Sequence, residues 1–240
     1  MRPRQSQTEP QLTIQYGRLL KFQAQCLLQL GQPADDKIDQ AIEAFRSLAV
    51  PEALIELGQA LALRALYQDS HGDTASAAQS AAEAANIYRE VPSDEPGVVV
   101  LLASTLRVLG VCLLALGNLA EALAPLQESA SHFHDLADTP MYPVFEHLDV
   151  ELKLGMCLTW LDRSSEAAEH FHAVVDLLRQ LAASDLGQQA ALAQPIAQLS
   201  EQLINFRQAQ DVLANGPLLT QILDLNAEIL SRLGWHEAAE

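Results

Sequence analysis

One segment of this chain occurs twice, and that repetition constrains its fold more than any other feature. Leu109–Leu126 reads LGVCLLALGNLAEALAPL, and Leu154–Phe171, 45 residues later, reads LGMCLTWLDRSSEAAEHF. Counting from Gly110, Leu113 lies at +3, Gly117 at +7, Ala122 at +12 and Leu126 at +16; from Gly155, Leu158, Asp162, Ala167 and Phe171 occupy the same places. Such spacing describes two antiparallel helices. A small residue lets the second helix approach, and large apolar residues three or four apart form the facing stripe. Gly or Asp two turns on ends the first helix. The second small residue sits at the crossing, and the large residue four further on fills the gap beside it. A single pair leaves apolar faces uncovered, so pairs must stack on neighbours.

The unit recurs with more damage. Leu57-Gly58 and Leu61 repeat its front half, with Ala77, Ala81 and Ala84 following after an insertion of about seven residues. Ala24, Leu27 and Gly31 repeat it again, with Ala41 and Phe45 after an insertion of about five. Ala227, Leu230, Gly234 and Ala239 fall at 0, +3, +7 and +12. The pattern predicts helices over 12–30, 35–48, 51–68, 74–90, 96–116, 119–136, 144–161, 164–182, 186–214 (broken near Pro195) and 217–233. Gly31-Gln32-Pro33, Ser70-His71-Gly72-Asp73 and Asn215-Gly216-Pro217 punctuate them. Pro125 is expected to bend its helix. Residues 1–11 read as a disordered tail and 12–240 as one array, less regular at 183–216. The last unit stops one turn into its second helix, which predicts a longer natural chain or a truncated one.

Composition agrees with this. Aromatic residues are 5% of the 240, which argues against an all-β fold, while abundant Ala and Leu favour helix. No uninterrupted apolar run reaches the roughly 18 residues of a membrane span, and no apolar segment follows the basic Met1–Arg4. Three cysteines suit a reducing compartment, so the expected location is cytoplasmic with no membrane insertion. Residues 1–50 carry 6 basic and 5 acidic side chains, and residues 51–240 carry 8 and 26, so +1 and −18 sum to the net −17. An acidic body repels nucleic acid and suits basic partners.

No catalytic, metal or cofactor site is expected. Cys26, Cys112 and Cys157 share one phase of the repeat, +2 from Ala24, Gly110 and Gly155, and read as small buried residues. His132-Phe133-His134 and His170-Phe171-His172 place their histidines about 200° apart on a helix, where the two of one pair cannot chelate together. The chain has no phosphate-binding loop, dinucleotide fingerprint, nucleophile elbow or His-Glu-x-x-His.

The units at Gly110 and Gly155, and more loosely those at Ala24 and Gly58, resemble the tetratricopeptide repeat. With its long spacing, the pattern is similar to the extended variant of kinesin-light-chain-like proteins. The resemblance implies an all-α, right-handed superhelical solenoid of about five antiparallel helix pairs, not an enzyme. It also implies that the first helices line a concave groove that binds a peptide or helix of a partner protein. Counted at −6, −3, +1, +4 and +5 from each small residue, that face carries Arg18, Lys21, Gln25, Leu28 and Gln29, then Glu52, Ile55, Gln59, Ala62 and Leu63. The next pairs contribute Ser104, Arg107, Val111, Leu114 and Ala115, then Asp149, Leu152, Met156, Thr159 and Trp160. The expected groove residues are therefore Arg18, Lys21, Gln25, Gln29, Gln59, Arg107, Met156 and Trp160. Arg18 and Lys21 are placed to grip a carboxylate. The chaperone-clamp subfamily is excluded. Lys21 and Gln25 match its first repeat in part, but Glu56 stands where it has Asn, and Ser104 and Val108 where it has Lys and Arg. The expected partner is a protein or peptide, basic or amphipathic. The uncapped C-terminal end is a possible site of self-association. A second reading is a sensor array belonging to a larger signalling ATPase or transcription regulator.

Overall fold

The computed structural model describes residues 8–91, 96–183, 193–209 and 215–234. Within them all regular structure is helical. The order is α1 (Thr8–Gln29), α2 (Asp35–Arg46), α3 (Pro51–Ser70), α4 (Thr74–Glu90), α5 (Pro96–Ala115), α6 (Leu119–Asp135), α7 (Val144–Trp160), α8 (Ser164–Ala183), α9 (Ala193–Ala209) and α10 (Gly216–Arg232). These bounds lie close to those predicted for α2 to α8 and α10. α1 begins four residues before the expected start. α6 runs through Pro125 as one helix. Pro195 lies in the first turn of α9 rather than breaking it, a place where proline costs no helical hydrogen bond.

The chain divides into two compact units. The first holds residues 1–132 and 139–141, the second residues 133–138 and 142–240. In the first unit α1 packs on α2, α2 on α3, α3 on α4 and α4 on α5, while α1 and α5 each also touch α3. Contact between alternate helices is what stacked pairs require. In the second unit α7 packs on α8, α9 on α10, and α10 also lies against α8. The poorly matching 183–216 region thus supplies α9, partner of α10. α5 is long and apolar enough to cross a membrane by length and composition; here it packs on α4 and α3 and buries Leu102, Leu106 and Cys112.

The turns show why the repeat uses Gly and Asp at +7. Gly117 and Asp162 both adopt positive φ (79° and 59°), as do Gly31 and Gly72, the left-handed conformation that ends a helix. At the crossings, a Cβ built on Gly155 would lie 2.6 Å from Phe171 Cε1, and Gly110 faces Leu126 with no room for a Cβ. Both +16 side chains are fully buried.

The second pair keeps this arithmetic with a different zero. Gly72, not the expected position two turns earlier, is its turn residue. Counting back seven gives Ala65, from which Ala77 falls at +12 and Ala81 at +16 with no insertion; all three are fully buried. Gly58, the zero expected from the sequence, lies seven residues early. Gly58 is a genuine close approach, but to Tyr88 at the far end of α4, and Gly17 meets Phe45 of α2 in the same manner.

Candidate functional site

In the first unit, Arg18 and Lys21 of α1 turn towards Glu52, Glu56 and Gln59, which stand at i, i+4 and i+7 on α3. Arg18 Nε donates to Glu56 Oε1 at 2.6 Å, and its Nη2 to Glu52 Oε1 at 2.8 Å. Lys21 Nζ donates to Glu56 Oε2 at 2.6 Å and to the Gln59 carbonyl. Two cations therefore meet two carboxylates, and the cluster is neutral. The expectation that Arg18 and Lys21 grip a partner's carboxylate is corrected: the chain's own Glu56 and Glu52 take that place. Gln25 and Gln29 are exposed on α1, and Gln59 is half-buried as the Lys21 acceptor.

Burial pushes the Glu56 carboxyl up, but hydrogen bonds from Lys21 and Arg18 outweigh it and hold the group below its ordinary value. A lowered carboxylate stabilises the fold fully above the ordinary carboxylate range and loses that contribution as pH falls through its own value. Glu56→Gln is therefore expected to cost about 2 kcal/mol at neutral pH and progressively less in acid. Urea denaturation at pH 7 and pH 4 reads this directly.

Further along the same unit, α3, α4 and α5 enclose a cleft of about 140 Å³. Ala62, Ala65 and Leu66 of α3, Ala81 of α4, and Leu101, Ser104, Thr105, Arg107 and Val108 of α5 line it. Its origin is a single step of the repeat. The +16 residue is Leu126 in the third pair and Phe171 in the fourth, each filling its crossing; in the second it is the smaller Ala81, fully buried at the floor of the cleft. Leu66 stands at the mouth, 51% exposed. With the zero at Ala65, the inward positions −3 and +1 are Ala62 and Leu66, while −6 and −3 from Gly110 are Ser104 and Arg107. The zero expected at Gly58 leaves Leu66 out of these positions and puts Glu52 and Ile55 among them.

The other two expected groove residues belong to the second unit. Met156 is buried, 7% exposed. Trp160 packs edge-on against Phe206 of α9, with ring centroids 5.4 Å apart at 80°. Arg107, half-buried on α5, lines the cleft.

The second unit holds a buried polar network that the sequence reading missed. Glu151 Oε2 accepts from His170 Nδ1 at 2.7 Å, and Oε1 meets His147 Nε2 at 3.3 Å. Tyr142 Oη lies 2.7 Å from His147 Nδ1, so one tautomer satisfies the chain, with Tyr142 donating to His147 and His147 to Glu151. Burial pushes Glu151 up, but its hydrogen bonds to both histidines outweigh this and bring it down to about 2. Burial and the Glu151 charge push Tyr142 up to about 12, which makes the phenol a poor nucleophile at neutral pH. The spacing His147-x-x-x-Glu151 on one helix face was the available signal. His170 pairs with Glu151 across the helices, while Glu166 accepts from Arg163. Burial pushes Cys112 up to about 11 and raises Cys157 as well, as inert structural thiols require. No group of three metal-ligating side chains occurs among the described residues.

No family profile matches this chain, and no curated protein is significantly similar to it. Among solved structures, it is similar to BtubC (BKLC) from P. vanneervenii, with a TM-score of 0.61 and 17% identity over 96% of this chain and 91% of that one. The fold is a tetratricopeptide-like helical repeat. At this identity the likeness is one of fold.

Proposed function

We propose that this chain is a non-catalytic interaction scaffold whose α3–α4–α5 cleft seats one apolar side chain of a partner's peptide or helix. The observation that carries this reading is Ala81. The repeat closes this space with a large side chain elsewhere, and here leaves room for one supplied from outside. An apolar pocket with a few polar groups, here the half-buried Ser104 and Arg107 and the buried Thr105, is the usual form of an anchor site. Residues 51–132, which contain the cleft, carry 3 basic and 10 acidic side chains. That surplus favours a partner with basic residues flanking its anchor, and speeds its approach. It works against nucleic acid.

The test is selection from a displayed random-peptide library on the immobilised chain. Peptides with a Leu, Ile, Met or Phe next to Lys or Arg should be enriched. Ala81→Leu fills the cleft from within and should weaken these peptides at least tenfold, about 1.4 kcal/mol, with no fall in melting temperature. Enriched peptides that bind Ala81→Leu and wild type equally would remove the cleft from the account.

A further inference from the structure

The outward face of α1 is apolar and uncharged. Leu12, Tyr16, Leu19 and Phe22 are 66%, 55%, 53% and 61% exposed, and half-buried Cys26 continues their line. Between them stand Gln11, Gln15 and Gln23, all exposed. The charged residues of α1 are Glu9, Arg18 and Lys21, and the two cations are turned to α3. In a chain of net charge −17, a strip this long without a charge is exceptional for a surface bathed in water.

We propose that this strip is the interface of a two-fold symmetric dimer, in which α1 of one copy lies antiparallel on α1 of another. Three observations select a second copy as the occupant. The first is that the strip is a palindrome. In an antiparallel pair centred on Leu19, positions summing to 38 lie level. Leu12 then meets Cys26, Gln15 meets Gln23, Tyr16 meets Phe22, and Leu19 meets its own mate. A two-fold interface demands such self-complementarity. The second is charge. Residues 1–50 sum to +1 and the rest to −18, so two copies approach here with the least repulsion. The third is area. The large exposed side chains of the strip present on the order of 500 Å². With Cys26 and the glutamines, the strip approaches the roughly 800 Å² per partner of a standard interface. An open groove beside Tyr16, lined by Thr13, Gln40, Glu43 and Ala44, widens the surface that can be covered.

Sedimentation of the full chain from about 1 to about 100 µM tests this. Wild type should reach twice the monomer mass, and Leu19→Glu/Phe22→Glu should stay at the monomer mass with an unchanged circular dichroism spectrum. Leu66→Glu, an equally exposed site on α3, should remain dimeric. Oxidised Leu12→Cys should give a covalent dimer through Cys26, and Leu12→Cys/Cys26→Ser should not. A wild type that stays monomeric at the highest concentration overturns the proposal. So does a dimer that survives the double glutamate, a covalent dimer that survives Cys26→Ser, or a monomer that takes up an unrelated helix on this face.

Discussion

Phe171→Ala is expected to lower the stability of the second unit by about 4 kcal/mol. Phe171 is fully buried at the +16 position, with its ring against the bare Cα of Gly155. Truncation leaves a cavity at a helix crossing, where neither helix can move in without shifting its other contacts. The more telling experiment adds Gly155→Ala. On propensity alone this change gains about 1 kcal/mol in a helix interior. In wild type its Cβ would sit 2.6 Å from the Phe171 ring, so the helices must part and the net effect is a loss of about 1–2 kcal/mol. In the Phe171→Ala background the clash is gone, the methyl group fills part of the cavity, and the same substitution should stabilise. A change of sign, with a coupling of about 3 kcal/mol in a double-mutant cycle, is the expected result. Additive effects would mean that the crossing is not the close contact described.

Glu151→Gln should cost about 3 kcal/mol at neutral pH. The carboxylate is 8% exposed and is the acceptor for both His147 and His170. An amide offers one oxygen and turns its NH₂ towards a second donor, leaving a buried group unsatisfied. The sign of the pH dependence follows from the lowered value. The group falls from an ordinary 4.5 to about 2 in the fold, so its contribution is complete above pH 4.5 and is lost between there and about 2. The gap between wild type and Glu151→Gln should hold from pH 7 to pH 5 and narrow below, in urea titrations at each pH.

The sequence carried the helix pairs well because its strongest signals are steric. Gly110 and Gly155 are where no Cβ fits, and Gly117 and Asp162 are where the backbone turns left-handed. Both constraints act within one helix pair and so leave a local mark. The second pair is ambiguous in sequence because it offers two small residues seven apart. Gly58 and Ala65 both lie on the α4-facing side of α3, two turns from one another, and Leu57-Gly58 copies the dipeptide of the better units. Only the turn at Gly72 decides between them. The ion pairs were not legible in the same way. Arg18 and Lys21 were rightly placed together on one face, but the identity of the carboxylates opposite depends on how α3 seats against α1. Met156, expected on the groove face, is buried in the second unit. Residues 235–240, which hold Ala239 of the last expected unit, lie outside the described residues.

The central claim is that an open +16 position makes the second helix pair a receptor for an apolar anchor. Isothermal titration of the best selected peptide against wild type, Ala81→Leu and Phe206→Ala tests it most directly. The expected result is a binding constant weakened at least tenfold by Ala81→Leu and unchanged by Phe206→Ala, which disturbs only the second unit. Equal binding by wild type and Ala81→Leu, with loss confined to Phe206→Ala, would contradict it.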